Sequence, residues 1–484
     1  MPAPPAVPDV PSQLFLGGRW CPASDGETFD VYDPATGERL ARVASASEAD
    51  GRLALDRAAD ALPGWAARTP RARAEILRRA FELMTAQQEA LARLITRENG
   101  KALADARSEV AYAAEFFRWY AEEAPRNIGE ISRSPTTGAR IVVQHRPAGI
   151  AVLVTPWNFP AAMATRKIAP ALAAGCPVIV KPASETPLTM LALMPLLQEA
   201  GVPDGVISVL PSRRSGPLVS ALVHDPRTRV LSFTGSTEVG RTLLKVAADT
   251  VVTPAMELGG NAPFVVFEDA DLDAAVAGAM VAKMRNIGEA CTAANRFYVH
   301  ERVHDAFASR LAAQMAALRI GHGLDDGVEV GSLVNAETRD KVVELVADAV
   351  ARGARVLTGG APVEGPGCFY RPTVLVDVPD SARCFHEEIF GPVAALARFS
   401  DERDVLARCN GTEYGLVAYV YTRDLARGLA FSERLEFGMV GLNRGLVSDP
   451  AAVFGGMKQS GIGREGAHEG LLEFLETQYI AVEW

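Results

Sequence analysis

The chain has 484 residues, of which 48% are hydrophobic and 22% charged, so it is long enough to bury several cores. At roughly 150 residues per domain, this length predicts about three domains or two large ones. The 49 basic and 59 acidic residues give a formal net charge of −10, which excludes a general attraction to nucleic-acid phosphate or to an anionic membrane surface. We therefore expect neither a nucleic-acid partner nor a membrane partner.

The six cysteines are scattered, with no CxxC pair and no short metal-ligand spacing, so we expect no metal site. Such sparse cysteines suit a reducing compartment. No apolar run approaches the roughly 18 residues of a membrane span, and the first basic residue is Arg19, which does not fit a signal peptide. We expect a cytoplasmic protein whose proline-rich residues 1–11 form a loose tail.

Helical periodicity dominates residues 47–124, where apolar positions recur at spacings of three and four. Ser47 and Thr69-Pro70 are good helix starts. Residues 128–147 then show two alternating polar and apolar arms around a Pro-Thr-Thr-Gly turn, which predicts a β-hairpin. We expect this hairpin to serve as an association element.

From residue 149 the pattern changes to short apolar runs separated by helical segments. The runs GIAVLVT, PVIVKP, GVISVLP and RVLSFTG have the spacing of βαβ units in a doubly wound α/β domain. Residues 251–267 are predicted to lead into a second α/β region, with strands RFYVH, ARVLTG, PTVLVDV, AALARF and LVAYVYT.

The usual nucleotide-binding and zinc-protease motifs, GxGxxG, GxxxxGK[ST] and HExxH, are absent. The segment FTGSTEVG (233–240) lies at a strand-to-helix junction, where glycines let a phosphate approach the helix N-terminus. Taken alone, it fits simple turn geometry as well as phosphate binding. Cys291 after RNIGEA likewise fits a buried small hydrophobe as well as an exposed thiol.

Taken together, six segments point to a known family: TPWNFP (155–160), KPASETP (181–187), FTGSTEVG (233–240), MELGGN (256–261), RNIGEAC (285–291) and EEIFGP (387–392). In this order they resemble the signature segments of the NAD(P)-dependent aldehyde dehydrogenase superfamily, and the resemblance covers nearly the whole chain. It implies an α/β fold with a Rossmann-type cofactor domain, an α/β catalytic domain and a small β oligomerisation element. We expect the cofactor domain over 1–127 and 148–258, the catalytic domain over 259–467, and the oligomerisation element over 128–147 and 468–484. The expected assembly is a homodimer or homotetramer.

The resemblance implies three catalytic residues. Cys291 would be the nucleophile, the Asn158 amide and the Cys291 backbone N–H would hold the oxyanion, and Glu257 would activate water. An aldehyde cannot give up hydride directly, whereas thiolate addition makes an alkoxide that can, and a thioester remains. The presence of Glu257 favours a free acid over a coenzyme A ester as the product.

The resemblance also implies a set of cofactor-binding residues: Thr155, Trp157, Lys181, Ser184, Gly235, Ser236, Glu388 and Phe390. Ser184 stands where NAD-preferring relatives often carry a carboxylate that accepts from the ribose 2′-hydroxyl and repels a 2′-phosphate. We therefore expect NADP to be accepted and preferred over NAD, although the neighbouring Glu185 opposes this preference.

Within the superfamily, the segments NFPAAMATRK (158–167), KMRNIGEAC (283–291), NRGLVS (443–448) and FGGMKQSGIGREG (454–466) are most similar to succinate-semialdehyde dehydrogenases. This similarity implies that Arg166, Arg285 and Ser448 hold the distal carboxylate of the substrate. Each arginine alone would also fit an ordinary salt bridge. Ala293 stands where the subfamily often has a second cysteine, so no redox-switch disulfide is expected.

Three hypotheses about function remain. The first is oxidation of succinate semialdehyde to succinate with NAD(P) through a cysteine thioester. The second is the same chemistry on a phosphonate-tailed or other dicarboxylate semialdehyde, because Val453, Arg444 and Asp449-Pro450 depart from the subfamily pattern near Ser448. The third is a catalytically silent binding or structural protein on this scaffold, which the intact catalytic residues oppose.

Overall fold

The computed structural model describes residues 10–483. The predicted tail therefore lies outside the described residues, apart from Val10 and Pro11. The helices are α1 (Glu48–Ala66), α2 (Pro70–Ala86), α3 (Gln88–Asn99), α4 (Leu103–Glu123), α5 (Ala162–Ala174), α6 (Pro187–Ala200), α7 (Ser215–His224), α8 (Thr237–Thr250), α9 (Leu272–Met284), α10 (Glu301–Ala317), α11 (Ala336–Ala351), α12 (Glu402–Asn410), α13 (Leu425–Glu433) and α14 (Glu469–Leu472).

The strands are β1 (Leu14–Leu16), β2 (Arg19–Cys21), β3 (Thr28–Tyr32), β4 (Arg39–Ala44), β5 (Glu130–Arg133), β6 (Arg140–Pro147), β7 (Ile150–Val154), β8 (Val178–Lys181), β9 (Ile207–Val209), β10 (Thr228–Thr234), β11 (Thr253–Glu257), β12 (Ala262–Val266), β13 (Ala294–His300), β14 (Arg355–Thr358), β15 (Thr373–Val376), β16 (Val393–Phe399), β17 (Val417–Tyr421), β18 (Met439–Leu442), β19 (Gly461–Ile462) and β20 (Leu475–Val482).

The first large sheet has the strand order β19-β11-β10-β7-β8-β9-β1-β2, and β11, β10, β7, β8 and β9 run parallel. All five residues of β7 are buried, and alternate residues of this strand join two different hydrophobic clusters. The sheet is therefore covered on both faces, as the continuous apolar runs predicted. The predicted helix starts are also confirmed, because the hydroxyls of Ser47 and Thr69 cap α1 and α2.

The second large sheet has the order β14-β15-β16-β13-β12-β17-β18, and only β14 is antiparallel to its neighbour. The segment 251–267 divides between the two sheets, with β11 in the first and β12 in the second. Strand β19, which lies inside the expected catalytic domain 259–467, pairs with β11 of the first sheet. Antiparallel backbone pairing of two residues leaves no periodic pattern in the sequence.

A third sheet consists of the hairpin β5–β6 and the C-terminal strand β20, in the order β20-β6-β5. The predicted hairpin is confirmed, with Ser134 to Gly138 forming the turn between its two arms. Strand β20 pairs with β6 over eight residues and is mostly exposed. Ile131 and Tyr479 are 74% and 59% exposed, so this sheet presents apolar side chains and unpaired strand edges to its surroundings.

Candidate active site

A cavity of about 230 Å³ opens at the carboxyl ends of the parallel strands of the first sheet and reaches the second. Its lining includes seven of the predicted site residues: Trp157, Asn158, Gly235, Ser236, Cys291, Glu388 and Phe390. Two cavities of about 360 Å³ lie elsewhere, and neither is lined by a predicted site residue. Ligands of open α/β sheets bind outside the carboxyl ends of the strands, so the smaller cavity is the candidate active site.

Cys291 follows an unusual turn that directs it into the cavity. Asn286, Ile287 and Gly288 all have left-handed backbone, with φ of 54°, 59° and 78°. A Cβ at Gly288 would lie 2.3 Å from the Gly391 carbonyl oxygen, so the close approach of these two loops requires glycine. Burial raises the pKa of the half-buried Cys291 thiol to about 12, and Arg166 opposes this shift. The isolated protein therefore holds a protonated thiol at neutral pH.

Asn158 lies in the loop after β7, beside the nucleophile. Its side-chain Nδ2 donates to the Glu289 carbonyl oxygen at 3.0 Å, and its second N–H has no partner among residues 10–483. The backbone carbonyl of Asn158 accepts from Lys101 Nζ at 2.6 Å and from Asn286 Nδ2 at 2.9 Å. Hydrogen bonds thus hold both the side chain and the backbone of Asn158, as a preorganised oxyanion donor needs.

A fully buried ion pair fixes this loop, and the sequence analysis did not find it. Lys101 Nζ lies 2.6 Å from Glu109 Oε2, and both side chains are inaccessible to solvent. Glu109 Oε1 also accepts from the backbone N–H of Ala161 at 2.8 Å, at the start of α5. Because α5 has no side-chain N-cap of its own, Glu109 supplies the acceptor from α4. No local sequence pattern predicts these contacts, because Lys101 lies 57 residues from Asn158, and Glu109 lies 52 residues from Ala161.

Glu257 ends β11 and is 3% exposed. Neither of its carboxylate oxygens has a hydrogen-bond partner among residues 10–483. Burial raises the pKa of Glu257 well above its usual value, Glu465 raises it further, and Arg166 and Lys167 lower it. A buried carboxylate with an elevated pKa and no structural partner is suited to accept a proton.

Arg166 and Lys167 lie next to each other on α5, a helix whose thirteen residues are all buried. Arg166 Nε lies 2.6 Å from Glu465 Oε2, and Lys167 Nζ lies 2.5 Å from Glu465 Oε1. The guanidinium group of Arg166 also stacks on the Phe454 ring at 4.0 Å. We call Arg166, Lys167 and Glu465 the ion cluster. Sequence reasoning missed Glu465, the buried partner of Arg166 and Lys167, since it lies about three hundred residues from them along the chain.

Arg285 and Ser448, two of the three residues expected to hold the distal carboxylate of the substrate, are in contact with each other. Arg285 Nη1 donates to the Ser448 hydroxyl at 3.3 Å. The guanidinium carbon of Arg285 lies 4.8 Å from the Phe159 ring centroid and 5.7 Å from that of Tyr112. The Tyr112 hydroxyl in turn lies 3.5 Å from Arg166 Nη1, so this half-buried tyrosine stands between the two arginines.

Trp157, Glu388 and Phe390 line the cavity together. The rings of Trp157 and Phe390 meet edge to face, with centroids 5.3 Å apart. Glu388 Oε1 accepts from the Gly260 N–H at 3.1 Å, while Lys341 Nζ donates to the Glu388 carbonyl at 2.8 Å. Burial raises the pKa of Glu388 to about 7.

Gly235 and Ser236 form the junction between β10 and α8, and Ser236 caps this helix. The junction lines the cavity, as do Thr338 and Lys341, which the sequence analysis did not identify. The open space, the helix N-terminus and a carboxylate fit the phosphate and ribose groups of a dinucleotide. The residues present therefore fit the implied NAD(P).

Lys181, Ser184 and Thr155 lie outside the lining of this cavity but beside it. The Thr155 N–H donates to the Lys181 carbonyl at 3.2 Å, at the ends of β7 and β8. Burial lowers the pKa of Lys181 to about 8. The Ser184 hydroxyl donates to Glu185 Oε2 at 3.2 Å, so a carboxylate lies close to the position that was expected to favour NADP.

Comparison with known proteins agrees with this geometry. Residues 20–480 match the aldehyde dehydrogenase family, and the chain belongs to that family. It is an NAD(P)-dependent oxidoreductase acting on aldehydes, which removes the hypothesis of a silent scaffold. No helix among residues 10–483 is long and apolar enough to cross a membrane.

Individual relatives carry names that specify the substrate or the cofactor. The chain is 54% identical over 443 residues to a succinate-semialdehyde dehydrogenase of Paenarthrobacter nicotinovorans, covering 92% of this chain and 98% of the relative. It is 49% identical over 470 residues to a glutarate-semialdehyde dehydrogenase of Pseudomonas putida, covering 97% of both. The crystal structure of an NADP-dependent enzyme of E. coli superposes with a TM-score of 0.97 at 48% identity, covering 98% of both chains. These matches confirm the expected fold.

Proposed function

We propose that this enzyme oxidises a short semialdehyde with an anionic tail, and that succinate semialdehyde, converted to succinate, is its best substrate. The observation that carries this proposal is the contact between Arg285 and Ser448, with Arg166 on the other side of Tyr112. Two guanidinium groups and a hydroxyl near Cys291 provide charge-assisted donors for a carboxylate. The named activity of the Paenarthrobacter relative supports the same substrate.

The first chemical step belongs to Cys291 and Asn158. Cys291 first loses its thiol proton to solvent, and the thiolate then attacks the aldehyde carbon, so that a C–S bond forms while the C=O π bond opens and leaves the oxygen as an alkoxide. The free N–H of the Asn158 amide and the backbone N–H of Cys291 hold this oxygen, and in other enzymes one such donor contributes about 3 kcal/mol. When bound, the nicotinamide supplies the hydride acceptor that makes the oxidation to a thioester possible.

The second step is hydrolysis, for which Glu257 is the general base. Its carboxylate takes a proton from water, the water oxygen bonds to the acyl carbon, and the sulfur of Cys291 leaves as thiolate. Glu257 suits this role because no hydrogen bond among the described residues commits its oxygens elsewhere. The product is the free acid.

The cofactor residues remain a proposal supported by their surroundings. Gly235 and Ser236 would hold the pyrophosphate at the start of α8, and Glu388 and Phe390 would hold the nicotinamide ribose and ring. Trp157 would pack beside that ring. Lys181, Thr155 and Ser184 would lie along the adenosine ribose, where the uncharged Ser184 supports a preference for NADP.

The domain division and the assembly are also proposals. The two large sheets support a cofactor domain and a catalytic domain with the boundaries given above, apart from β19. The exposed edges and apolar side chains of the third sheet support a homodimer or homotetramer formed through β5, β6 and β20. The scattered free cysteines support a location in the cytoplasm.

A second candidate substrate is a longer dicarboxylate or a phosphonate-tailed semialdehyde. The loop that carries Ser448 supports it, because Arg444 and Asp449 are exposed there and depart from the subfamily pattern. The Pseudomonas relative is named for glutarate semialdehyde, which is one carbon longer than succinate semialdehyde. Arg166, Arg285 and Ser448 would bind the anionic group of either substrate.

A substrate panel tests the proposal. We would compare kcat/KM for succinate semialdehyde, glutarate semialdehyde, a phosphonate-tailed aldehyde and butanal, measured by cofactor reduction. The expected result is a preference of roughly 100-fold or more for an anionic tail over butanal. Cys291→Ala should abolish activity, while Glu257→Gln should give one fast turnover and then accumulate the thioester. Equal kcat/KM values for butanal and the semialdehydes would refute a binding site for an anionic tail.

A further inference from the structure

The guanidinium group of Arg166 faces two different surroundings. Its Nε lies 2.6 Å from the Glu465 carboxylate, within the ion cluster. On the opposite edge, Nη1 lies 3.5 Å from the Tyr112 hydroxyl and Nη2 lies 3.2 Å from the Met163 sulfur. A hydroxyl and a thioether are weak partners for a buried cation. The Nη edge is therefore able to take an anion while the Nε edge stays paired with Glu465.

Strand pairing holds the ion cluster next to the general base. Lys167 Nζ donates to the Ser232 hydroxyl at 2.8 Å, and Ser232 lies on β10, the neighbour of β11. Gly461 pairs directly with Glu257, and the chain reaches Glu465 four residues later. Three segments, α5, β10 and the chain after β19, thus bring the cluster and the Glu257 carboxylate into one buried region.

We propose that the anionic tail of the substrate acts on the general base through Arg166. A carboxylate bound to the Nη edge of Arg166 adds one negative charge to the ion cluster and makes Glu257 a stronger base. This inference rests on the proposed function, because it requires the tail to bind Arg166. Arg166 then has two roles, since it binds the tail and positions charge around the base.

The charges that face Glu257 explain why it responds. Besides burial, Glu465 raises the pKa of Glu257, and Arg166, Lys167 and Arg464 lower it. From the loop after α9, Cys291 faces the same carboxylate. No hydrogen bond among the described residues fixes the protonation state of Glu257, so burial and nearby charge set its pKa. One added charge in such surroundings shifts a pKa by about one unit.

The affected step is hydrolysis of the thioester. The succinyl group keeps its carboxylate near Arg166 while water loses a proton to Glu257, the C–O bond forms and the C–S bond breaks. A neutral acyl group of the same length leaves the Nη edge without an anion. The stronger base is therefore present only when the acyl group carries the charge that the enzyme selects.

The experiment compares succinate semialdehyde with its methyl ester, which has the same chain without the charge. Hydrolysis of the acylated protein is followed directly by rapid quench and mass spectrometry as a function of pH. In the wild-type enzyme we expect the pKa of the acidic limb to be about one unit higher for the succinyl group than for the methyl ester. A purely structural role of Arg166 would not separate the two profiles.

Two variants provide the matched comparison. Arg166→Met should make the two profiles coincide, whereas Arg285→Met, which leaves Arg166 and Glu465 paired, should keep them apart at saturating substrate. Coincident profiles in the wild type, together with a clear preference in KM for the semialdehyde, would overturn this inference and leave the proposed function standing. Equal KM values for the two substrates would overturn both. If Arg166→Met does not fold, the wild-type and Arg285→Met profiles still decide.

Discussion

Replacing Arg285 with methionine tests most directly whether this site binds an anionic substrate tail. Methionine keeps much of the apolar stem that packs against Phe159 and Tyr112, but it removes the charge and the hydrogen bond to Ser448. A charge-assisted hydrogen bond contributes about 1.5 to 3 kcal/mol, which corresponds to a factor of about 10 to 100 in binding. Arg285 is only half-buried, so water reduces the effect toward the lower end of this range.

The assay is the initial rate of cofactor reduction over a range of substrate concentrations. For succinate semialdehyde we expect KM to rise about 10-fold or more, with kcat within a factor of about 3, because the reacting carbon lies at the other end of the substrate. For butanal, kcat/KM should change little. Arg423→Met is the matched control, since this arginine is exposed, pairs with Asp271 and does not line the cavity. An equal loss for butanal and the semialdehyde would show a collapsed pocket rather than a lost contact, and would refute the reasoning.

Three further predictions concern reactivity, stability and cofactor choice. Because burial raises the pKa of Cys291 to about 12, alkylation of the cofactor-free enzyme by iodoacetamide should accelerate steadily with pH through the alkaline range, and a plateau near neutral pH would contradict this. Val251 is 88% exposed and has a left-handed φ of 55° after α8, so Val251→Asn should stabilise the protein by roughly 0.5 to 1 kcal/mol and raise the melting temperature. Val350→Asn, at an exposed position inside α11, should not stabilise it. Glu185→Gln should increase the ratio of kcat/KM for NADP to that for NAD, because the carboxylate held by Ser184 would otherwise repel a 2′-phosphate; an unchanged ratio would remove Glu185 from the ribose site.

Much of the fold was predictable from local pattern. The strands β7 to β10, the helix starts at Ser47 and Thr69, and the hairpin β5–β6 all follow from periodicity, capping residues and turn residues within a few positions. The pairing of β19 with β11 was not predictable, since two residues of antiparallel backbone contact carry no side-chain period. This strand pairing is visible only in the tertiary structure.

The catalytic residues show the same division. Cys291, Glu257 and Asn158 stand in segments whose order and composition resemble a family, so the sequence alone identified the class of chemistry and the side chains proposed to perform it. The sequence also identified Arg166, Arg285 and Ser448 as candidate substrate-binding residues, because short segments around them match one subfamily. Such motifs are local, and they are readable without knowing what packs against them.

What surrounds those residues depended on the tertiary structure. The hydrogen bond from Lys101 to Asn158 and the ion pair between Arg166 and Glu465 join positions far apart in the chain. The sequence does not show whether a given lysine or glutamate is solvated or buried. Only packing removes water and sets the distances between charges, and these two quantities govern the strength of each ion pair and the basicity of Glu257.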